Sequence, residues 1–146
     1  MKASSLLLVV VLLAFGGMIV GACSSSGGAK GGALERKTWE VTAYADASGN
    51  LANEPATVPA TVVLSGGKVF GNSGCSQYTA SYTISGSSVT ITDLSSAKAA
   101  CPPPASDVEA AMLADLGRAA SFTVDGKNAT IYDKDGKELL KLVQKA

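Results

Sequence analysis

The chain has 146 residues, with 12 basic and 12 acidic side chains, three cysteines and no histidine. Balanced charge without a basic run excludes the electrostatic footprint of a nucleic-acid-binding domain. The absence of histidine removes the commonest general base and the commonest metal ligand, and with them any Ser-His-Asp or Cys-His site within the chain.

Taken in chain order, Lys2 is followed by an uninterrupted apolar or glycine stretch from Leu6 to Val20. That run is short for a membrane span, which needs about 20 residues, and it suits the core of a signal peptide. Val20-Gly21-Ala22-Cys23 closes it and resembles the lipobox of bacterial lipoproteins, in which the cysteine receives a diacylglycerol and becomes the first mature residue. Residues 1–22 are therefore expected to be a lipoprotein signal peptide and Cys23 the lipidation site. Residues 23–33 read as a flexible Ser/Gly tether, and residues 34–146 as one domain. A diacylglycerol with a further acyl chain such as palmitate meets the need for more than one lipid in a stable anchor. Membrane lipid is thus the first expected partner, and the alternative is a secreted, non-lipidated protein. Ser24, rather than Asp, favours the outer membrane in a cell that has one.

With Cys23 claimed by lipid, Cys75 and Cys101 remain. An even remainder in an oxidising compartment suggests a disulfide. Closing a loop of about 26 residues contributes roughly 3.5 kcal/mol in the chain-entropy account. Two buried free thiols are the alternative. A redox pair is not expected without C-x-x-C spacing.

From Lys37 onward the pattern is mostly β. Trp39, Val41 and Ala43 alternate with polar residues. Ala45 to Pro59 reads as a long irregular loop. Thr61–Leu64 and Lys68–Phe70 flank a Ser-Gly-Gly turn. The clearest strand runs from Tyr78 to Ser85. It has Tyr78, Ala80, Tyr82 and Ile84 on one face and Thr79, Ser81, Thr83 and Ser85 on the other, a period of two that means one packed and one wet face. Three prolines at 102–104 end the sheet. Ser106 and Glu109 form an S-x-x-E capping box for a helix with Val108, Met112, Leu113 and Leu116 on one arc. Asp107, Asp115 and Arg118 fall opposite. Asp125-Gly126 and Asp135-Gly136 then join three closing strands. The expected fold is mainly β: a curled antiparallel meander or partly open barrel of about seven to eight strands, with one α-helix over an open side.

These residues resemble a known family. Asn72 to Tyr82, reading N-S-G-C-S-Q-Y-T-A-S-Y, is similar to the "GCN-x-Y-x-G-x-Y" centre of the META domain, or HslJ-like, family. Leu34 and Trp39 resemble its opening "L-x-G-x-x-W". Lys98-Ala99-Ala100-Cys101-Pro102 is similar to its "T-x-x-A-C" segment, and Asp135–Leu142 to its final "D-G-x-x-L-x-L". Ser76, Ala80 and Ala97 depart from the usual Asn, Gly and Thr. The resemblance implies this β fold and a bacterial envelope address, often as a lipoprotein linked to stress response and surface properties. It brings no agreed enzymatic activity.

The candidate binding loop is Gly71–Tyr78, where Asn72, Ser73, Ser76, Gln77 and Tyr78 surround Cys75 with adaptable donors. A turn that only positions a disulfide is the plainer alternative. Asp133–Glu138 faintly echoes a calcium loop, but it lacks the ligand set and reads as a hairpin turn. No catalytic residue, metal or cofactor is expected. The sequence therefore predicts a non-catalytic, lipid-anchored cell-envelope domain that meets an envelope protein or a glycan. The alternatives are an inhibitor of an envelope-directed hydrolase, such as a lysozyme or protease, and a histidine-free enzyme.

Overall fold

The computed structural model describes residues 31–55 and 57–146. The signal peptide and Cys23 lie outside the described residues. Residues 31–34 are helical, and β1 (Thr38–Ala45) follows. Next come β2 (Leu51–Asn53), β3 (Thr61–Ser65), β4 (Lys68–Asn72), β5 (Gln77–Ser85) and β6 (Ser88–Ser96). Helix α1 (Ala105–Arg118) precedes β7 (Ser121–Asp125), β8 (Asn128–Tyr132) and β9 (Glu138–Gln144).

The nine described strands form one sheet in the order β2-β1-β3-β4-β5-β6-β7-β8-β9, and β1 also pairs with β9. Each paired neighbour is antiparallel, so the sheet closes on itself as a ring. The seam is thinnest between β6 and β7, where Ser88 opposite Ser121 is the one register pair. Helix α1, the connection between those two strands, packs against β1, β6 and β9. It turns Val108, Met112, Asp115 and Leu116 inward.

The core follows from alternation. Trp39, Val41, Ala43 and Ala45 of β1 are buried, as are Tyr78, Ala80 and Tyr82 of β5. Fully burying a large apolar side chain is worth about 1.5–3 kcal/mol, so the strand faces supply the main driving force. Trp39 is completely buried, and its indole N–H donates to the Leu34 carbonyl at 2.8 Å. The polar edge of the ring is thus satisfied inside the core. Bulges shape the ring. In β9 the register with β8 slips at Ile131/Tyr132, which lets the consecutive Leu139 and Leu140 both bury. In β6 an extra residue opposite Thr79–Ser81 sets Asp93 at φ 55°. Aspartate tolerates that left-handed conformation better than most residues.

Four expectations change. Residues 31–33, assigned to the tether, are helical and lie against the domain, with Gly31 buried beside Ile84. The Ala45–Pro59 segment is not wholly irregular. Asp46 Oδ1 accepts the Ser48 and Asn50 N–H groups at 2.8 and 2.9 Å, and that turn sends β2 back along β1. The capping box does not form: α1 begins at Ala105 after Pro104, without a side-chain cap. Proline carbonyls serve instead, with Pro102 accepting Ala105 N–H at 3.1 Å and Pro104 accepting Val108 N–H at 3.0 Å. Finally, Asp115 faces inward rather than to solvent.

Candidate functional site

The turn between β4 and β5 is built around two close backbone approaches. A Cβ on Gly71 would stand 2.1 Å from the Thr61 carbonyl oxygen, so this position admits no side chain. Gly74 has φ +95°, and a Cβ there would meet Val58 at 2.7 Å. Between and beyond them the polar side chains are spent inside the turn. Ser73 N–H and Oγ–H both donate to the Ser76 carbonyl, at 2.8 and 2.9 Å. Ser76 N–H donates back to Ser73 Oγ at 3.1 Å. Asn72 Oδ1 accepts the Gly74 N–H at 2.7 Å. The Tyr78 hydroxyl donates to the Thr61 carbonyl at 2.9 Å, and burial pushes its pKa up.

Cys75 and Cys101 stand at disulfide distance, with their Cα atoms 5.9 Å apart. Ser76 reinforces that join. Its Oγ accepts the Ala99 N–H at 2.8 Å and donates to Glu109 of α1 at 3.3 Å. Ser76 and the cysteine pair therefore tie β5, the segment before α1, and α1 itself into one unit. Of the five candidate loop residues, Ser73, Ser76 and Tyr78 are buried, Asn72 is half-buried, and Gln77 is exposed. The structure thus leaves Gln77 and the Nδ2 side of Asn72 to face a ligand. Asp133 Oδ1 accepts the Asp135 and Lys137 N–H groups, both at 2.9 Å, as a hairpin turn requires. Among the described residues, no group of three or more Cys, Asp or Glu is set to hold a metal.

The surface that remains available is the outer face of β3 to β6. Strand register arranges it in rows. Asn72 lies opposite Gln77 in the first. Val63, Phe70, Thr79 and Ser95 form the second across four strands, and Ser65, Lys68, Ser81 and Thr92 the third. Thr83 faces Thr90 and Ser85 faces Ser88 farther along. Phe70 sits at the centre of this array and is 43% exposed. The Phe70–Thr79 ridge separates two hollows. One, of about 550 Å³, is lined by Thr61, Asn72, Gln77, Thr79 and Ser95. The other, of about 730 Å³, is lined by Ser65, Lys68, Ser81 and Asp93. The first hollow has no charged lining residue. The second has Lys68, which donates to Ser81 Oγ at 3.0 Å, and Asp93.

Sequence reasoning noted the hydroxyl face of β5 but passed over Phe70. The signal was present: Val69 is apolar and buried, so strict alternation turns Phe70 outward among polar neighbours. Asp115 was also misplaced. Its Oδ2 accepts the Ala45 N–H at 2.9 Å and its Oδ1 pairs with Arg118. Burial raises its pKa to about 6 against those favourable contacts. This carboxylate latches α1 to the end of β1.

A family model described as "META domain" matches residues 32–146. A solved structure described as "NMR structure of the protein from Burkholderia xenovorans" is similar, with a TM-score of 0.65 and 23% identity. The match covers 77% of this chain and 84% of that one. At this identity the likeness concerns the fold alone. No curated protein matches the chain.

Proposed function

The chain belongs to the META domain family, and on that footing we propose that it is a non-catalytic, lipid-anchored domain of the cell envelope that binds its ligand on the outer face of β4 to β6. The single observation that carries the binding face is Phe70, a large apolar ring exposed in the middle of a strand and flanked by two polar hollows. Hollows that combine an apolar wall with a few convergent polar groups are the usual form of a ligand site, and Phe70 is a wall of both. The anchor rests on the run that ends at Cys23. A tether at the N-terminus would leave the rest of the domain free to meet soluble or wall-bound partners. The non-catalytic reading rests on a chain without histidine, in which the turn serines Ser73 and Ser76 have hydrogen-bonded structural duties, Ser76 with Glu109 of α1 among its partners.

An inhibitor of an envelope hydrolase would insert the Gly71–Tyr78 turn into its target. That turn has one fully exposed polar side chain, Gln77, with which to do so, and the outer face offers a broader contact. The test is a photo-crosslinking residue placed at Thr79 or, as a control, at Lys127 in the β7–β8 turn of the full chain. In intact envelopes the Thr79 probe is expected to give a discrete adduct and the Lys127 probe none. Equal labelling from both positions, or none from Thr79, contradicts the assignment.

A further inference from the structure

We propose that the ligand of this face is an extended, uncharged oligosaccharide that lies across β3 to β6 with one sugar ring stacked on Phe70. The inference rests on the binding-face reading above and adds the chemical class and the lie of the ligand.

Four observations select a sugar. First, most polar groups of the face are hydroxyls or amides. Thr79, Thr83, Ser85, Thr90 and Ser95 present exposed hydroxyls along β5 and β6. A hydroxyl both donates and accepts, and so do the amides of Asn72 and Gln77. Sugar hydroxyls also do both, and they are matched best by such ambivalent partners. Second, the hollow beside Gln77 has no charged lining residue and so offers no counter-charge to a phosphate, carboxylate or ammonium group, and the other hollow carries one charge of each sign, Lys68 and Asp93. Third, Phe70 supplies an apolar plane for the C–H face of a pyranose. It stands nearly alone in this, because its row neighbour Val63 is half-buried and the others are polar. A lipid chain would need a continuous apolar channel.

Fourth, an extended peptide is disfavoured by the sheet itself. Such peptides bind by adding a strand to an unpaired edge. Here β4 is paired with β3 and β5, and β5 with β4 and β6. The backbone of β4 and β5, beneath Phe70 and Thr79, is therefore committed, and the open stretch of β6 beyond Ser88 lies at the margin of the face. What the face presents is side chains in rows. Neighbouring strands lie about 4.8 Å apart, close to the length of one sugar unit along a straight glycan. The row Val63, Phe70, Thr79, Ser95 crosses four strands, which accommodates about three units. The hollows on either side of the ridge leave room for ring substituents.

The experiment is an NMR titration of the full chain in detergent micelles with fully N-acetylated chitotetraose, a straight uncharged oligosaccharide, alongside tetra-alanine. Chitotetraose is expected to give saturable shifts at Phe70, Gln77, Thr79 and Ser95. Phe70→Ala is expected to weaken that binding about tenfold or more with a melting temperature lowered by at most a few degrees, while Phe70→Trp retains it. Saturable shifts with tetra-alanine at these residues, or none with chitotetraose, overturn the proposal. The two readings separate through the Thr79 photo-crosslink in intact envelopes. An adduct that depends on Phe70 without a chitotetraose response removes the sugar and keeps the binding face. Insensitivity to Phe70 in both assays removes both.

Discussion

Arg36 shows how a single backbone angle can matter as much as a contact. It has φ 60° and its N–H donates to the Leu64 carbonyl at 2.8 Å. It lies between Leu34 and Trp39, which are both fully buried, so the chain must turn here to seat them. The position corresponds to the glycine of the L-x-G-x-x-W pattern. A left-handed non-glycine residue costs about 1–2 kcal/mol. Arg36→Gly is therefore expected to stabilise the fold by roughly 0.5–1 kcal/mol after glycine's entropy is counted, and a lower urea midpoint would contradict this. One buried and one half-buried carboxyl set the pH response. Desolvation raises Asp115 from 3.8 to about 6 and Glu54, whose Oε1 accepts the Ala60 N–H, from 4.5 to about 7. The folded chain keeps these protons at pH values where the unfolded chain has shed them. Their contribution is complete below about pH 4 and is lost as pH rises through 6 and 7. The melting temperature should accordingly fall between about pH 4 and 7. That fall should shrink in Asp115→Asn and in Glu54→Gln, each of which keeps an acceptor for its backbone N–H. A wild-type melting temperature that rises over this interval would contradict the assignment.

At the scale of elements, the turn joining β4 to β5 is a junction more than a loop. Through Ser76 and the cysteine pair it clamps β5, the approach to α1, and α1. If the pair is oxidised in the envelope, Cys75→Ser/Cys101→Ser should lower stability by roughly 2–4 kcal/mol. An unchanged denaturation midpoint under non-reducing conditions would show that the link contributes nothing. Much of this level was legible in the sequence. The alternation of Tyr78, Ala80 and Tyr82 marked β5 and its buried face, and the Asp-Gly pairs marked the final hairpins. What escaped did so for identifiable reasons. The adjacent Leu139 and Leu140 defeat a period of two, because a bulge buries both. The three residues of β2 are too few to show a pattern, and an Asp46 turn rather than hydrophobicity places them. Asp115 looks like a surface residue until a strand end supplies an N–H for it. The candidate loop holds Cys75, which stands at disulfide distance from Cys101. Its serines were read as free donors, because no sequence pattern shows that Ser73 and Ser76 bond to each other.

At the scale of the whole molecule, a ring closed by β1 and β9 leaves a broad outer face on β3 to β6 that carries no core duty. Among the described residues no helix is long and apolar enough to cross a membrane, and the proposed attachment is lipid on Cys23. Cys23→Ala should block processing and leave an uncleaved precursor, visible by intact mass, whereas normal cleavage in that variant would contradict the anchor. Anchoring and binding then divide between the N-terminal tether and the face around Phe70. The most direct test of that division is the yield of the Thr79 photo-crosslinked adduct in intact envelopes, with and without Phe70→Ala, and with melting temperatures measured in parallel. The account predicts a yield about tenfold lower with Phe70→Ala and a melting temperature lowered by at most a few degrees, and equal yields would contradict it.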